Sequence, residues 1–158
     1  MSQPPFAVRE PGGLWVAGRA HPESQNAGVI RKLYEHLNAR NKRCVLSLYS
    51  RNAELHSFVS TVDGSKFVGC TGVRHWYETL VSTLGMKIEI GELLTYRNYV
   101  LSIPRLHISG GGRRQSFEAG IVYEVNRGRI QRSFGYGNVG AAVKKLGSLL
   151  HGEHELAI

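Results

Sequence analysis

Aspartate is nearly missing from this chain. Of 12 acidic residues only Asp63 is an aspartate, and it falls in Asp63-Gly64, a turn dipeptide. A mechanism that needs an aspartate has that one candidate. Cysteine is scarce too. Cys44 and Cys70 form no disulfide framework and lack the spacing of a zinc site, so reduced thiols in a cytoplasm are expected. No apolar run approaches the roughly 18 residues of a membrane helix. The start, MSQPPFAVRE, has neither the basic residues nor the apolar stretch of a secretory signal. Nucleotide loops, Ser/His/Asp signatures and metal motifs are all missing, so neither a cofactor nor a metal is expected. There is no internal repeat.

What is present suits one globular domain. The chain has 158 residues, 42% of them apolar, enough to build a core. Its net charge of +8 raises the case for nucleic acid. The distribution argues against it. The basic residues come as scattered pairs, such as Arg31-Lys32, Lys42-Arg43, Arg113-Arg114 and Lys144-Lys145, with no stripe interleaved with aromatics. They read as solvated surface.

The pattern changes along the chain. Residues 1–25 hold four of the five prolines and no period, and read as an extended arm. Val29, Ile30, Leu33, Tyr34 and Leu37 mark one face of a helix over 27–40. A short second helix is expected around Val45, Leu46, Leu48 and Tyr49, then a strand from Glu54 to Val59 and a turn over 60–65. A third helix is expected from Thr71, as N-cap, to Leu84, stopped by Gly85. Four strands follow at a period of two: Lys87–Tyr96, Tyr99–Ile108, Gln115–Val125 and Arg129–Tyr136. Turns at Gly110-Gly111-Gly112 and Arg127-Gly128 separate the last three. A helix over Val139–Leu150 closes the chain. Helices first and strands afterwards predict an α+β fold, with helices on one face of an antiparallel sheet.

The order of these pieces resembles the SnoaL-like, nuclear transport factor 2-like superfamily. The stretches LYEHLNAR, LSLYSRNAELH, FVGCTGVRHWYETL and VYEVNRGRIQRSFGY carry the likeness, from about Val29 to Gly137. The resemblance implies a cone: a strongly curved antiparallel sheet against three helices, plus a C-terminal helix. The domain division is then an arm over 1–25, the SnoaL-like domain over 26–138, and a C-terminal helix and tail over 139–158. It also implies a hydrophobic small-molecule ligand, polyketide-like or steroid-like, and a homodimer through the convex face. Members include cofactor-free isomerases, cyclases and dehydratases as well as non-catalytic binding modules, so fold alone does not choose the chemistry.

The hairpin at Arg127-Gly128 predicts which residues would face the pocket. A two-residue loop pairs Asn126 with Arg129. Counting outward, Tyr123 meets Arg132, Ile121 meets Phe134 and Ala119 meets Tyr136, all on one face. Arg132 then fits two readings: a rim guanidinium stacked on Tyr123, or a group that meets an anionic ligand. On the preceding strand Tyr99, Arg105 and His107 share a face, and either face can be the inner one.

The resemblance places the isomerases' general base at Ser57, with His56 one residue away, and their second acid at Ile121. Their helical tyrosine falls on or next to Leu33, with Tyr34 one residue off. Those acids are therefore missing. If the chain is an enzyme, the proton-moving group is expected to be a histidine, His56 or His107, since imidazole titrates near neutrality. Ser57, Tyr99, Phe117, Ile121, Tyr123, Arg132, Phe134 and Tyr136 are the expected ligand-contacting residues. The alternative is a binding module without turnover.

Overall fold

The computed structural model describes residues 24–57, 66–112 and 114–156. The expected turn over 60–65 lies outside them, as does the arm apart from its last two residues.

Helix α1 spans Gln25–Asn38, and the Ser24 side chain caps it by accepting from the Ala27 N–H. Its stripe of Ile30, Leu33, Tyr34 and Leu37 is buried, as the 3.6-residue period predicts. Both ends are fastened to strand β3 (Lys87–Tyr96). Ser24 Oγ lies 2.7 Å from Thr95 Oγ1, and the Asn38 amide bonds both the N–H and the carbonyl of Ile88.

Helix α2 covers Lys42–Ser47, and β1 follows at once over Tyr49–His56. The expected strand began five residues later. Tyr49 is thus a strand residue rather than the end of a helix. Strand β2 is Phe67–Val68. Helix α3 runs over Gly69–Trp76 and widens into a π-helical stretch, Tyr77–Thr83. It begins before Thr71, with Val68 at the N-cap and no side-chain cap. Gly85, at φ +61, ends the segment as expected.

Strand β4 is Tyr99–Ile108, β5 Gln115–Glu118, β6 Gly120–Asn126 and β7 Arg129–Tyr136. The expected single strand over 115–125 is broken at Ala119, whose N–H bonds the carbonyl of Pro104. Pro104 has no N–H of its own, and β4 changes partner there, from β6 before it to β5 after it. Helix α4, Val139–Leu156, is longer than expected.

Among the described residues the strands form one sheet in the order β2-β1-β7-β6-β4-β3, with β5 paired to β4. All pairs are antiparallel except β1 with β7. This is the α+β cone fold. The inner face holds the main core under α1 and α3. The outer face carries a second one: Tyr99, Leu101, Val122 and Phe134 pack under Ala142 and Leu146 of α4. The face expected to meet a second copy is thus partly covered by the chain's own last helix.

The β6–β7 register needs one correction. Asn126 pairs with Arg129 and Val125 with Ile130 as expected, across a turn with φ +53 at Arg127 and +75 at Gly128. The next pair is Glu124 with Arg132, so Gln131 is one residue extra. Beyond that bulge Tyr123 meets Ser133, Val122 meets Phe134 and Ile121 meets Gly135. A one-residue shift exchanges faces. Ser133 and Gly135 turn inward, and Arg132, Phe134 and Tyr136 turn outward.

Candidate functional site

A cavity opens in the concave side of the sheet. About 40 Å³ of it is free to water-sized molecules, and the whole depression, mouth included, encloses about 450 Å³. Leu37 of α1, Trp76 and Leu80 of the third helix, and Met86 close one side. The sheet supplies Leu55, Ile88, Leu106 and Ile121. The space exists because three residues here are small: Ser57, Ser133 and Gly135.

The polar groups of this wall are hydroxyls. Tyr123 is 4% exposed, and its Oη lies 2.9 Å from Tyr34 Oη, which lies 2.7 Å from Ser102 Oγ. Tyr34 and Ser102 are fully buried behind Tyr123 and hold its ring in place. Tyr49 also lines the cavity, and the residue as a whole is buried. Its ring packs edge-on to Trp76, with centroids 6.2 Å apart.

Burial sets the ionisation of these phenols. It pushes Tyr34 up to about 12, against the opposing hydrogen bonds from Ser102 and Tyr123. It also raises Tyr49, with Tyr34 adding, and raises Tyr123, with Tyr34 and Tyr49 adding. All three are neutral at physiological pH. They can donate a hydrogen bond to a carbonyl or accept one from a hydroxyl, and they are not general bases there.

Of the expected site residues, His56, Ser57, Ile121 and Tyr123 line the cavity. Val100, Ser102 and Leu106 mark the inner face of β4, which puts Tyr99 under α4 on the outer face. Phe117 packs against the main core and does not line the cavity. Phe134 and Tyr136 belong to the outer core.

Arg132 also lies outside. Its Nε donates to Glu124 Oε1 at 2.6 Å, and that bond raises its already high pKa. It stands over Phe134, 5.5 Å from the ring centroid, rather than over Tyr123. Neither histidine turns its ring into the cavity. His56 borders it, but the ring stacks on Phe134 at 4.8 Å on the outer face, and Nε2 lies 3.5 Å from Glu54 Oε1. His107 bonds Ser116 Oγ through Nδ1 at 2.6 Å.

The expectation from sequence omits Tyr49, read as the end of a helix, and also Ser133 and Gly135. The resemblance places the isomerases' tyrosine on or next to Leu33, one residue from Tyr34. A signal existed for it: Tyr34 shares the buried stripe of α1 with Ile30 and Leu37. No group of three or more metal-ligating side chains comes together among the described residues. Nor is any helix there long and apolar enough to cross a membrane.

The SnoaL-like domain family matches residues 30–133. The chain belongs to that family. Solved structures agree on the fold of this SnoaL-like domain. Rv0760c of Mycobacterium tuberculosis, in complex with estradiol-17β-hemisuccinate, is 19% identical with a TM-score of 0.66, covering 75% of this chain and 97% of that one. Bal32a, from a soil-derived mobile gene cassette, is 22% identical with a TM-score of 0.64, covering 71% and 88%. TerC, co-crystallised with polyporic acid, is 17% identical with a TM-score of 0.64, covering 75% and 95%. Among curated proteins none matches the chain.

Proposed function

We propose that this SnoaL-like domain binds a flat, hydrophobic small molecule in the cone without turning it over. The ligand carries a carbonyl or hydroxyl that meets the phenols of Tyr123 and Tyr49. The carrying observation is a neutral phenol, Tyr123, held by Tyr34 and Ser102 at the wall of an apolar cavity. An apolar wall with few fixed polar groups is the usual make-up of a ligand site. The positions where the resemblance places the isomerases' acids, Ser57 and Ile121, supply no carboxylate. Both named relatives with ligands hold hydrophobic ring systems, which supports a polyketide-like or steroid-like class. A ligand of that size needs roughly 300 Å³ or more, so the wall has to move to admit it.

One observation favours a second reading, a cofactor-free isomerase, cyclase or dehydratase. Two phenols in a largely apolar cavity can stabilise an enolate oxygen as it forms. Such an enzyme still needs a base to take the proton, and His56 and His107 turn their rings elsewhere.

The test is a titration with steroid and polycyclic quinone ligands, followed by tryptophan fluorescence in a Trp15→Phe background so that Trp76 reports, in heavy water. Saturable binding without deuterium exchange next to the ligand's carbonyl supports the binding module. Exchange above the buffer rate makes the chain an enolising enzyme. A homodimer through the part of the outer face that α4 leaves open belongs to the same proposal, and sedimentation at high concentration tests it.

A further inference from the structure

A second depression lies on the surface where α2, the start of β1 and α3 meet. About 250 Å³ of it is free to water-sized molecules. Leu46, Val73 and Tyr49 give it an apolar lining, and Arg43 and Arg74 line it with two exposed guanidinium groups. Neither arginine has a hydrogen bond or ion pair among the described residues. No acidic side chain lines the groove among those residues. The acid that Arg74 influences, Glu78, has its carboxylate bonded to Lys42 Nζ.

The local structure accounts for the arrangement. Arg43 lies three residues before Leu46 on α2, and Cys70 lies four before Arg74 on α3, so each pair shares a helix face. The groove is separate from the cone cavity; Tyr49 is the one residue that lines both.

We propose that this groove is a second ligand site that takes a small amphipathic carboxylate. The apolar part, a short acyl chain or a single ring, rests on Leu46, Val73 and Tyr49. The carboxylate sits with Arg43 and Arg74, whose planar donor forks match it. The volume lies just below the usual range for ligand pockets, which sets the size of the molecule. Two exposed guanidiniums beside an apolar floor, with no acid lining the groove among the described residues, set its charge.

The test uses the full chain with octanoate as probe and octanol as its uncharged counterpart. Cys70 is exposed and lines the groove, whereas Cys44 is partly buried and does not. Alkylation of each thiol by N-ethylmaleimide is followed by peptide mass spectrometry. Octanoate is expected to slow alkylation of Cys70 and leave Cys44 unchanged, while octanol at equal concentration protects less. Arg43→Gln and Arg74→Gln should each weaken the protection by roughly 3- to 10-fold, as should added salt. Both side chains are exposed and make no hydrogen bond among the described residues, so these variants are expected to keep the fold, which circular dichroism verifies. Unchanged Cys70 kinetics with octanoate overturn the proposal. So does equal protection by octanol, or protection that survives both substitutions.

Discussion

The Tyr34 hydroxyl stands between two others, 2.7 Å from Ser102 Oγ and 2.9 Å from Tyr123 Oη, with no exposed surface of its own. Tyr34→Phe would leave Ser102 and Tyr123 each short of a partner in a buried place. The expected cost is about 1–3 kcal/mol in urea unfolding. Tyr123→Phe spares the Tyr34–Ser102 bond and should cost less stability, but it should weaken ligand binding more. The reverse ranking in the binding titration would remove Tyr123 from the ligand site.

The same phenols set a limit at high pH. Tyr34 has its folded pKa raised from 10.0 to about 12. Between those values the unfolded chain loses a proton that the folded chain keeps. Stability is therefore full below pH 10 and falls as pH rises toward 12, by about 2–3 kcal/mol for Tyr34 alone. Tyr49 and Tyr123 shift in the same direction and add to the loss. Tyrosinate absorbance and urea midpoints measured together should show these phenols ionising only as the protein unfolds. Free titration in the folded state would contradict this.

Three strands were legible in full because their signals are local. Strands β3, β4 and β7 match the period-two segments end for end, and the Arg127-Gly128 turn appears where its residues place it. The bulge at Gln131 left no such mark. Ile130, Arg132, Phe134 and Tyr136 alternate with polar or small residues, so the pattern reads as one unbroken apolar face. A second core under α4 makes the outer side of β7 apolar as well, and hydrophobicity then cannot tell inside from outside. The first half of β1, YSRNA, carries too little alternation to show a strand. That hid Tyr49, and through it part of the candidate site.

The bulge itself is testable through Arg132. Because it is on the outer face with Glu124, Arg132→Gln should leave binding in the cone unchanged and cost at most about 1 kcal/mol, the pair being partly exposed. A double-mutant cycle with Glu124→Gln should return a coupling of that size. A large loss of ligand affinity instead would put Arg132 back in the pocket.

His56 gives a parallel case with a different readout. Its ring stacks on Phe134 outside the cavity, so His56→Gln should not alter ligand affinity in the cone. It should lower stability slightly by removing the stack and the contact with Glu54. If deuterium exchange at the ligand is ever seen and His56→Gln abolishes it, the ring must reach the cavity by another rotamer.

Gly120 sets how closely α4 can lie on the sheet. A Cβ placed there would come 2.6 Å from Ala142 Cβ and 3.0 Å from the Cα of Val139, which is backbone and cannot rotate away. Gly120→Val must therefore push the start of α4 off β6. Overpacking of this kind costs about 1–3 kcal/mol. It should also have a second effect. Lifting α4 uncovers Leu101, Val122 and Phe134, a contiguous apolar patch on the outer face. The variant should then self-associate at concentrations where the parent chain sediments as it did before, and binding in the cone should change little. Sedimentation velocity and urea unfolding on the same samples check both effects. An unchanged midpoint would mean that α4 shifts without cost, and a destabilised variant that stays dispersed would mean that α4 still covers the patch.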